Sequence, residues 1–231
     1  MINGINSREM ILEILLEIEE GEHSHVAIRN ALSKYQFLPK QDRAFITRVC
    51  EGTLEYRIQI DYIINSFSKV TVDKMKPAIR EILRSAVYQL KYMDSVPDSA
   101  VCNEAVKLAQ RKGFYNLKPF VNGVLRTIAR EMDQVRFPQK EDDLLKYLSV
   151  KYSMPEVLVT RWLEAYGEET TEKILADFLM EHPLTIRCRT YLNSKEEVIK
   201  SLESQGVHVA PAPYLPYAYS ISEFNHILAL D

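Results

Sequence analysis

Glycine is scarce in this chain, and the little there is lies scattered. Seven glycines occupy positions 4, 21, 52, 113, 123, 167 and 206 of 231 residues, no two closer than ten positions. A nucleotide-type cofactor loop needs several glycines within a few residues, so that backbone N–H groups can approach the ligand. No nucleotide-binding enzyme core is therefore visible. Long apolar runs are also missing. The longest is Ile227-Leu228-Ala229-Leu230, whereas a bilayer span needs roughly 20 residues. The start, Met1-Ile2-Asn3-Gly4, runs into an acidic helix and lacks the basic start and apolar stretch of a signal peptide. These absences predict no membrane partner and a cytoplasmic location. The three cysteines, Cys50, Cys102 and Cys188, fit neither a disulfide framework nor a zinc spacing and read as buried thiols. His23 and His25 form an isolated His-x-His, which reads as solvated loop.

Nor is there a strong excess of positive charge. The net charge is −3, but it divides unevenly. Residues 1–133 carry 19 Lys+Arg against 17 Asp+Glu, and residues 134–231 carry 10 against 15. The division falls at Asp133 to Lys140, where Pro138 ends a helical pattern. We read residues 1–133 as one domain, 134–182 as a helical linker and 183–231 as a second lobe.

What is present in the first part is helical periodicity. Asn6 with Glu9 resembles a capping box, and Ile11, Leu12, Leu15, Leu16 and Ile18 supply one face of a helix over about 7–20. A second helix reaches about Tyr35, and residues 40–68 read as two helices bent near Tyr56. Ile79, Ile82, Leu83, Ala86, Val87 and Leu90 recur at full 3.6-residue spacing and mark a core helix. Two more are expected over about 99–112 and 117–132. The fold class is an all-α bundle of about seven helices.

The second part changes character. Glu141-Asp142-Asp143 opens a helix, Ser153-Met154-Pro155-Glu156 reads as a capping-box start, and Gly167 divides the helix that follows from another over about 168–180. A strand over 184–189, a helix over 194–204 and a strand over 207–210 then form a small, incomplete α/β unit. Residues 227–230 read as the middle of a further strand. Tyr214, Tyr217 and Tyr219 follow a proline-rich stretch. They suit either stacking on bases or a rigid loop that packs onto the sheet, and the second fits better.

Two basic constellations stand out. Lys76, Arg80 and Arg84 repeat at i, i+4 and i+8, with Tyr88 next. Such a stripe suits a phosphate backbone with a stacked base, or else a solvated helix face. Arg126 and Arg130 repeat the spacing, with Arg111, Lys112 and Lys118 crowding the turn before them.

The blocks Pro97 to Ala109 and Phe120-Val121-Asn122-Gly123-Val124-Leu125-Arg126, together with Asp42-Arg43-Ala44-Phe45, Gly52-Thr53-Leu54 and Ile82-Leu83-Arg84, resemble the NusB-like helical domain. The resemblance spans most of residues 7–132. Further on, Trp162 to Gly167 and Pro183 to Arg187 resemble the linker and the start of the small RRM-like lobe in the Sun/RsmB type of ribosomal RNA methyltransferase.

The resemblance implies an all-α NusB-like bundle, a short helical linker and an incomplete RRM-like α/β lobe. It implies that this region holds small-subunit ribosomal RNA for a catalytic domain that methylates carbon 5 of a cytosine. That domain uses S-adenosylmethionine and a cysteine nucleophile. Its glycine-rich loop and Pro-Cys and Thr-Cys motifs have no counterpart here, so no catalytic residue and no cofactor are expected in these residues. The absent methyltransferase domain is the expected covalent partner. Lys76, Arg80, Arg84, Lys112, Lys118, Arg126 and Arg130 are the candidate RNA contacts. The alternative is an antitermination-type factor that binds RNA with a protein partner and has no enzymatic activity. A third reading, a helical interaction module, predicts no salt-dependent RNA affinity.

Overall fold

A computed structural model describes residues 6–35, 38–180, 182–189 and 191–224. The chain divides into two compact units, Met1–Ala176 and Asp177–Asp231. Among the described residues no helix is long and apolar enough to cross a membrane.

The first unit begins with seven helices: α1 (Ser7–Glu19), α2 (Ser24–Lys34), α3 (Lys40–Glu55), α4 (Arg57–Phe67), α5 (Pro77–Tyr92), α6 (Asp98–Arg111) and α7 (Lys118–Glu131). Asn6 starts α1, its side chain accepting from the N–H groups of Arg8 and Glu9, but the return bond of the expected capping box is not formed and the Glu9 carboxylate faces Lys112 instead. Tyr56 caps α3 and opens α4, which is the bend read from the sequence.

α5 is the axis of the bundle and packs against α1, α3, α4, α6 and α7. Its periodic face is buried, with Ile79, Ile82, Leu83, Ala86 and Val87 at most 2% exposed. Glu81, Ser85 and Gln89 are buried too, so α5 is enclosed on more sides than an amphipathic stripe accounts for. These polar groups have partners. Ser85 donates to the Glu81 carbonyl oxygen at 2.8 Å, Gln89 Nε2 donates to the Ser85 carbonyl oxygen at 2.8 Å, and Gln89 Oε1 accepts from Arg8 Nε at 3.2 Å.

The same unit continues through α8 (Leu144–Lys151) and, as far as Ala176, α9 (Glu156–Phe178), the latter broken at Gly167, whose φ of 72° only glycine adopts readily. Asp143 caps α8 through the Lys146 N–H at 2.9 Å. Leu148, Val159 and Leu175 form a second small core. Gln59 of α4 ties this region to the bundle, donating to the carbonyl oxygens of Val150 and Lys151 at 3.1 Å each. Residues 134–176, read from the sequence as most of a linker, are thus packed into the first unit.

Ser153 does not cap α9, contrary to the capping-box reading. Its backbone sits at φ 53° and its Oγ accepts from the Ile58 N–H at 3.0 Å. That amide lies in the first turn of α4, where no intrahelical partner exists. The serine therefore serves a helix end 95 residues away in sequence.

The second unit holds β1 (Leu184–Arg187), α10 (Lys195–Ser204), β2 (His208–Pro211) and β3 (Ala218–Ser222). A reciprocal capping box between Ser194 and Glu197 starts α10, and Gly206, at φ 80°, follows its end. The sheet order is β1-β3-β2, with both pairings antiparallel. β1, α10 and β2 are a split β-α-β unit whose gap β3 fills. Ile186 pairs with Tyr219, and Val209 with Ile221, so the apolar residues share the face that meets Leu202 and Val207. The sequence reading missed β3. The strand expected at 227–230 lies outside the described residues.

Candidate nucleic-acid interface

The two basic constellations have different fates. On α5, Arg80 is ion-paired with Glu19 of α1 and donates to the Val72 carbonyl oxygen at 3.1 Å. Arg84 donates to Asp61 of α4 at 2.7 and 2.6 Å and to Glu81 at 2.6 Å. Their side chains are only 15% and 12% exposed. Helical spacing places them on one face, but carboxylates from neighbouring helices cover that face. The expected phosphate-tracking stripe is thus reduced to Lys76, which is exposed at the N-cap of α5. Tyr88 is buried beneath α3, close to Gly52 and 5.3 Å in ring centroid from Tyr92, so it cannot stack on a base.

On α7 the cations face solvent. Arg126 is exposed and touches no carboxylate among the described residues. Its Nε donates to Asn122 Oδ1 at 2.9 Å and its Nη2 to Asn103 Oδ1 of α6 at 3.3 Å. Arg130 is 70% exposed and, among the described residues, pairs with Glu131 alone, its sequence neighbour. At such exposure the pair is weak and leaves the guanidinium open to a stronger anion. Lys118 donates to Gln110 at 2.8 Å and touches no carboxylate among the described residues. Lys112 sits between Glu9 and Glu13 of α1, at 3.5 and 3.0 Å, with the ammonium held above its usual range by both carboxylates against the pull of burial.

Why the α6–α7 face stays open follows from its sequence. Val121, Val124, Leu125 and Ile128 turn into the bundle, which leaves Asn122, Gly123, Arg126 and Arg130 on the outer side. A Cβ added at Gly123 meets nothing within 4 Å, so no internal contact requires glycine there. Glycine in a helix interior costs about 1 kcal/mol relative to alanine. The result is an open surface at Gly123, flanked by the Arg126 guanidinium, which the amide oxygens of Asn122 and Asn103 hold, and by the exposed Arg130. Asn103 and Asn122 were not singled out from the sequence. The i, i+4 spacing of Asn122 and Arg126 was the available signal.

Among the described residues the glycines form no loop that fits S-adenosylmethionine. Gly21, Gly113, Gly167 and Gly206 serve helix ends or a helix break, Gly52 packs against Tyr88, and Gly123 is mid-helix. Among the described residues no group of three or more His, Cys, Asp and Glu side chains is placed to hold a metal ion. Cys50, Cys102 and Cys188 are free and buried, and burial pushes each thiol above its ordinary range.

Comparison with known proteins places this geometry. Residues 5–130 match the NusB family, and residues 154–227 match the ferredoxin-like domain of the RsmF/B-like methyltransferases. The chain is 32% identical over 87% of its length to the probable ribosomal RNA small subunit methyltransferase B of Bacillus subtilis strain 168, and spans 44% of that protein. The solved structure of PH0851 covers 96% of this chain with a TM-score of 0.67 at 23% identity, the chain spanning 50% of it. The antitermination factor complex of NusB and NusE with double-stranded RNA covers 54% of this chain with a TM-score of 0.50 at 21% identity, the chain spanning 93% of it. The chain belongs to the NusB family, in the arrangement where a NusB domain is followed by the ferredoxin-like domain of RsmF/B-like methyltransferases.

Proposed function

We propose that this chain is the RNA-holding region of an S-adenosylmethionine-dependent methyltransferase that modifies carbon 5 of a cytosine in small-subunit ribosomal RNA. The observation that carries the reading is the succession of a NusB domain and an RsmF/B-like ferredoxin-like domain in one chain. The α6–α7 surface supplies the contact. Arg126, Arg130 and Lys118 meet RNA phosphates, with Lys112 at the C-cap of α6 and Lys76 at the N-cap of α5 as further contacts. Arg80 and Arg84 are left out because their N–H groups are already satisfied inside the bundle. The methyl transfer and the cofactor belong, on this reading, to a methyltransferase domain absent from these 231 residues. Such a protein works in the cytoplasm.

Fluorescence anisotropy with small-subunit ribosomal RNA fragments across a salt series tests it. Arg126→Gln with Arg130→Gln should weaken binding and shallow the slope of log affinity against log salt by roughly 1.5–2. An unchanged slope counts against this interface. Loss of a C5-methylcytosine from small-subunit ribosomal RNA in a deletion strain separates the methyltransferase from an antitermination-type factor, which leaves that base methylated.

A further inference from the structure

Tyr214 and Tyr191 are the most exposed large hydrophobic side chains among the described residues, at 91% and 78%. Both belong to the second unit. The sheet register brings their loops to one end. Arg187 at the end of β1 pairs with Ala218 at the start of β3, the Cys188 N–H donates to the Tyr217 carbonyl oxygen at 2.9 Å, and the Ala212 N–H donates to the Ala218 carbonyl oxygen at 2.9 Å. Residues 188, 189, 191 and 192 and the segment 211–217 thus flank the same end of the sheet.

Three properties of this end argue together. Its aromatics are not held by the lobe's core, which gathers Leu202, Val207 and Ile221 under α10, while Tyr219 alone of the three tyrosines near β3 is buried. Its charge has one sign. Residues 183–194 and 211–222 contain no acidic residue, although the chain carries a net charge of −3. Arg187 and Arg189 are exposed and have no carboxylate partner among the described residues, unlike Arg80 and Arg84 in the first unit. Its backbone is stiffened, because Pro211, Pro213 and Pro216 fix three φ angles and reduce the ordering required when a ligand docks. Open aromatic faces and guanidinium groups without a carboxylate partner among the described residues, gathered at one end of the sheet on segments with no acidic residue, match unpaired nucleobases with their phosphates.

We propose that this end of the second unit is a stacking platform for single-stranded RNA, with Tyr191 and Tyr214 supplying the ring faces and Arg187 and Arg189 the phosphate contacts. The proposal rests on the RNA-holding reading above and adds to it a preference for unpaired over paired RNA.

The test uses the whole 231-residue chain with two probes, a short oligouridine and a perfectly paired RNA duplex. Tyr191→Ala with Tyr214→Ala should weaken oligouridine binding roughly tenfold for each base whose stacking is lost and leave duplex binding unchanged. Oligonucleotides carrying 5-bromouridine should photocrosslink to Tyr191 or Tyr214. Arg187→Gln with Arg189→Gln should weaken oligouridine binding and reduce its salt dependence. Oligouridine affinity unchanged in the tyrosine variant, while the wild type still binds RNA, overturns the platform and leaves the RNA-holding reading intact. A wild type with no affinity for either probe overturns both. A self-association of the wild type that the tyrosine variant abolishes, without crosslinks to RNA, shows the patch to be a protein seam and overturns the platform.

Discussion

The guanidinium of Arg84 meets the carboxylate of Asp61 edge to edge, Nε and Nη2 donating to its two oxygens at 2.7 and 2.6 Å. The remaining nitrogen, Nη1, donates to Glu81 at 2.6 Å, so one arginine clips α4 to α5. Glu81 is buried, and burial pushes its carboxyl upward against the pull of Arg84. Arg84→Ala leaves that acid without its cation, a loss of roughly 3 kcal/mol for a broken buried pair. Calorimetry should show a fall in Tm of roughly 6–12 °C. RNA affinity should stay at the wild-type value. Weakened RNA binding with an unchanged Tm would return Arg84 to the interface.

Gly52 of α3 faces the ring of Tyr88 so closely that a Cβ there overlaps the ring atoms. The ring has little freedom to yield, because Tyr56 and Tyr92 flank it at centroid distances of 6.4 and 5.3 Å. Gly52→Ala should therefore destabilise the first unit by roughly 1–3 kcal/mol, as overpacking does. Adding Tyr88→Ala should make the combined loss smaller than the sum of the single losses, which a double-mutant cycle of urea melts measures. Additive losses would mean that α3 and α5 do not meet through this contact.

The bundle was legible in the sequence because its signals are local. Apolar spacing from Ile79 to Leu90, the cap at Asn6 and the bend at Tyr56 each declare themselves within a turn or two. What misled was non-local. The spacing of Arg80 and Arg84 says that they share a face, but not that Glu19 and Asp61, from other helices, close over it. Ser153 looks like a cap for the helix beside it and instead serves Ile58. β3 is five residues long, follows a proline-rich stretch, and only Tyr219 and Ile221 carry its alternation, so the central strand of the sheet was hidden. The Tyr214 reading failed for the same reason, since the strand that buries Tyr219 begins just beyond the exposed loop.

Gln59 holds α8 to the bundle with a single side chain. Its Nε2 donates to the carbonyl oxygens of Val150 and Lys151, and its Oε1 accepts from the Tyr92 hydroxyl. Gln59→Leu keeps the volume and removes all three bonds, which leaves buried polar groups unsatisfied at roughly 1–3 kcal/mol. Hydrogen exchange should then speed up across residues 144–176 while the amides of α5 keep their protection. Uniform acceleration through α5 would show that the region around α8 and the bundle open as one unit.

Glu172 joins the two helices of the smaller core, accepting from Lys151 Nζ at 2.9 Å and from the Tyr152 hydroxyl at 3.0 Å. The Lys151 hydrogen bond, with further help from Tyr152, holds its carboxyl below the usual 4.5 despite partial burial. A carboxyl whose folded pKa is depressed binds fewer protons in the folded state, so its stabilisation is complete above the unfolded value and disappears as pH falls through the folded one. The packing of α8 on α9 should therefore weaken in acid, below about pH 4.5. The side chain is a quarter exposed and water screens it, which keeps the effect under about 1 kcal/mol. Trp162, the single tryptophan, packs against this core and reports on it by fluorescence. Glu172→Gln should lower the Trp162 melting midpoint slightly at neutral pH and converge with the wild type as the acid protonates. A difference that persists at full strength in acid would mean that shape, and not charge, holds Glu172 in place.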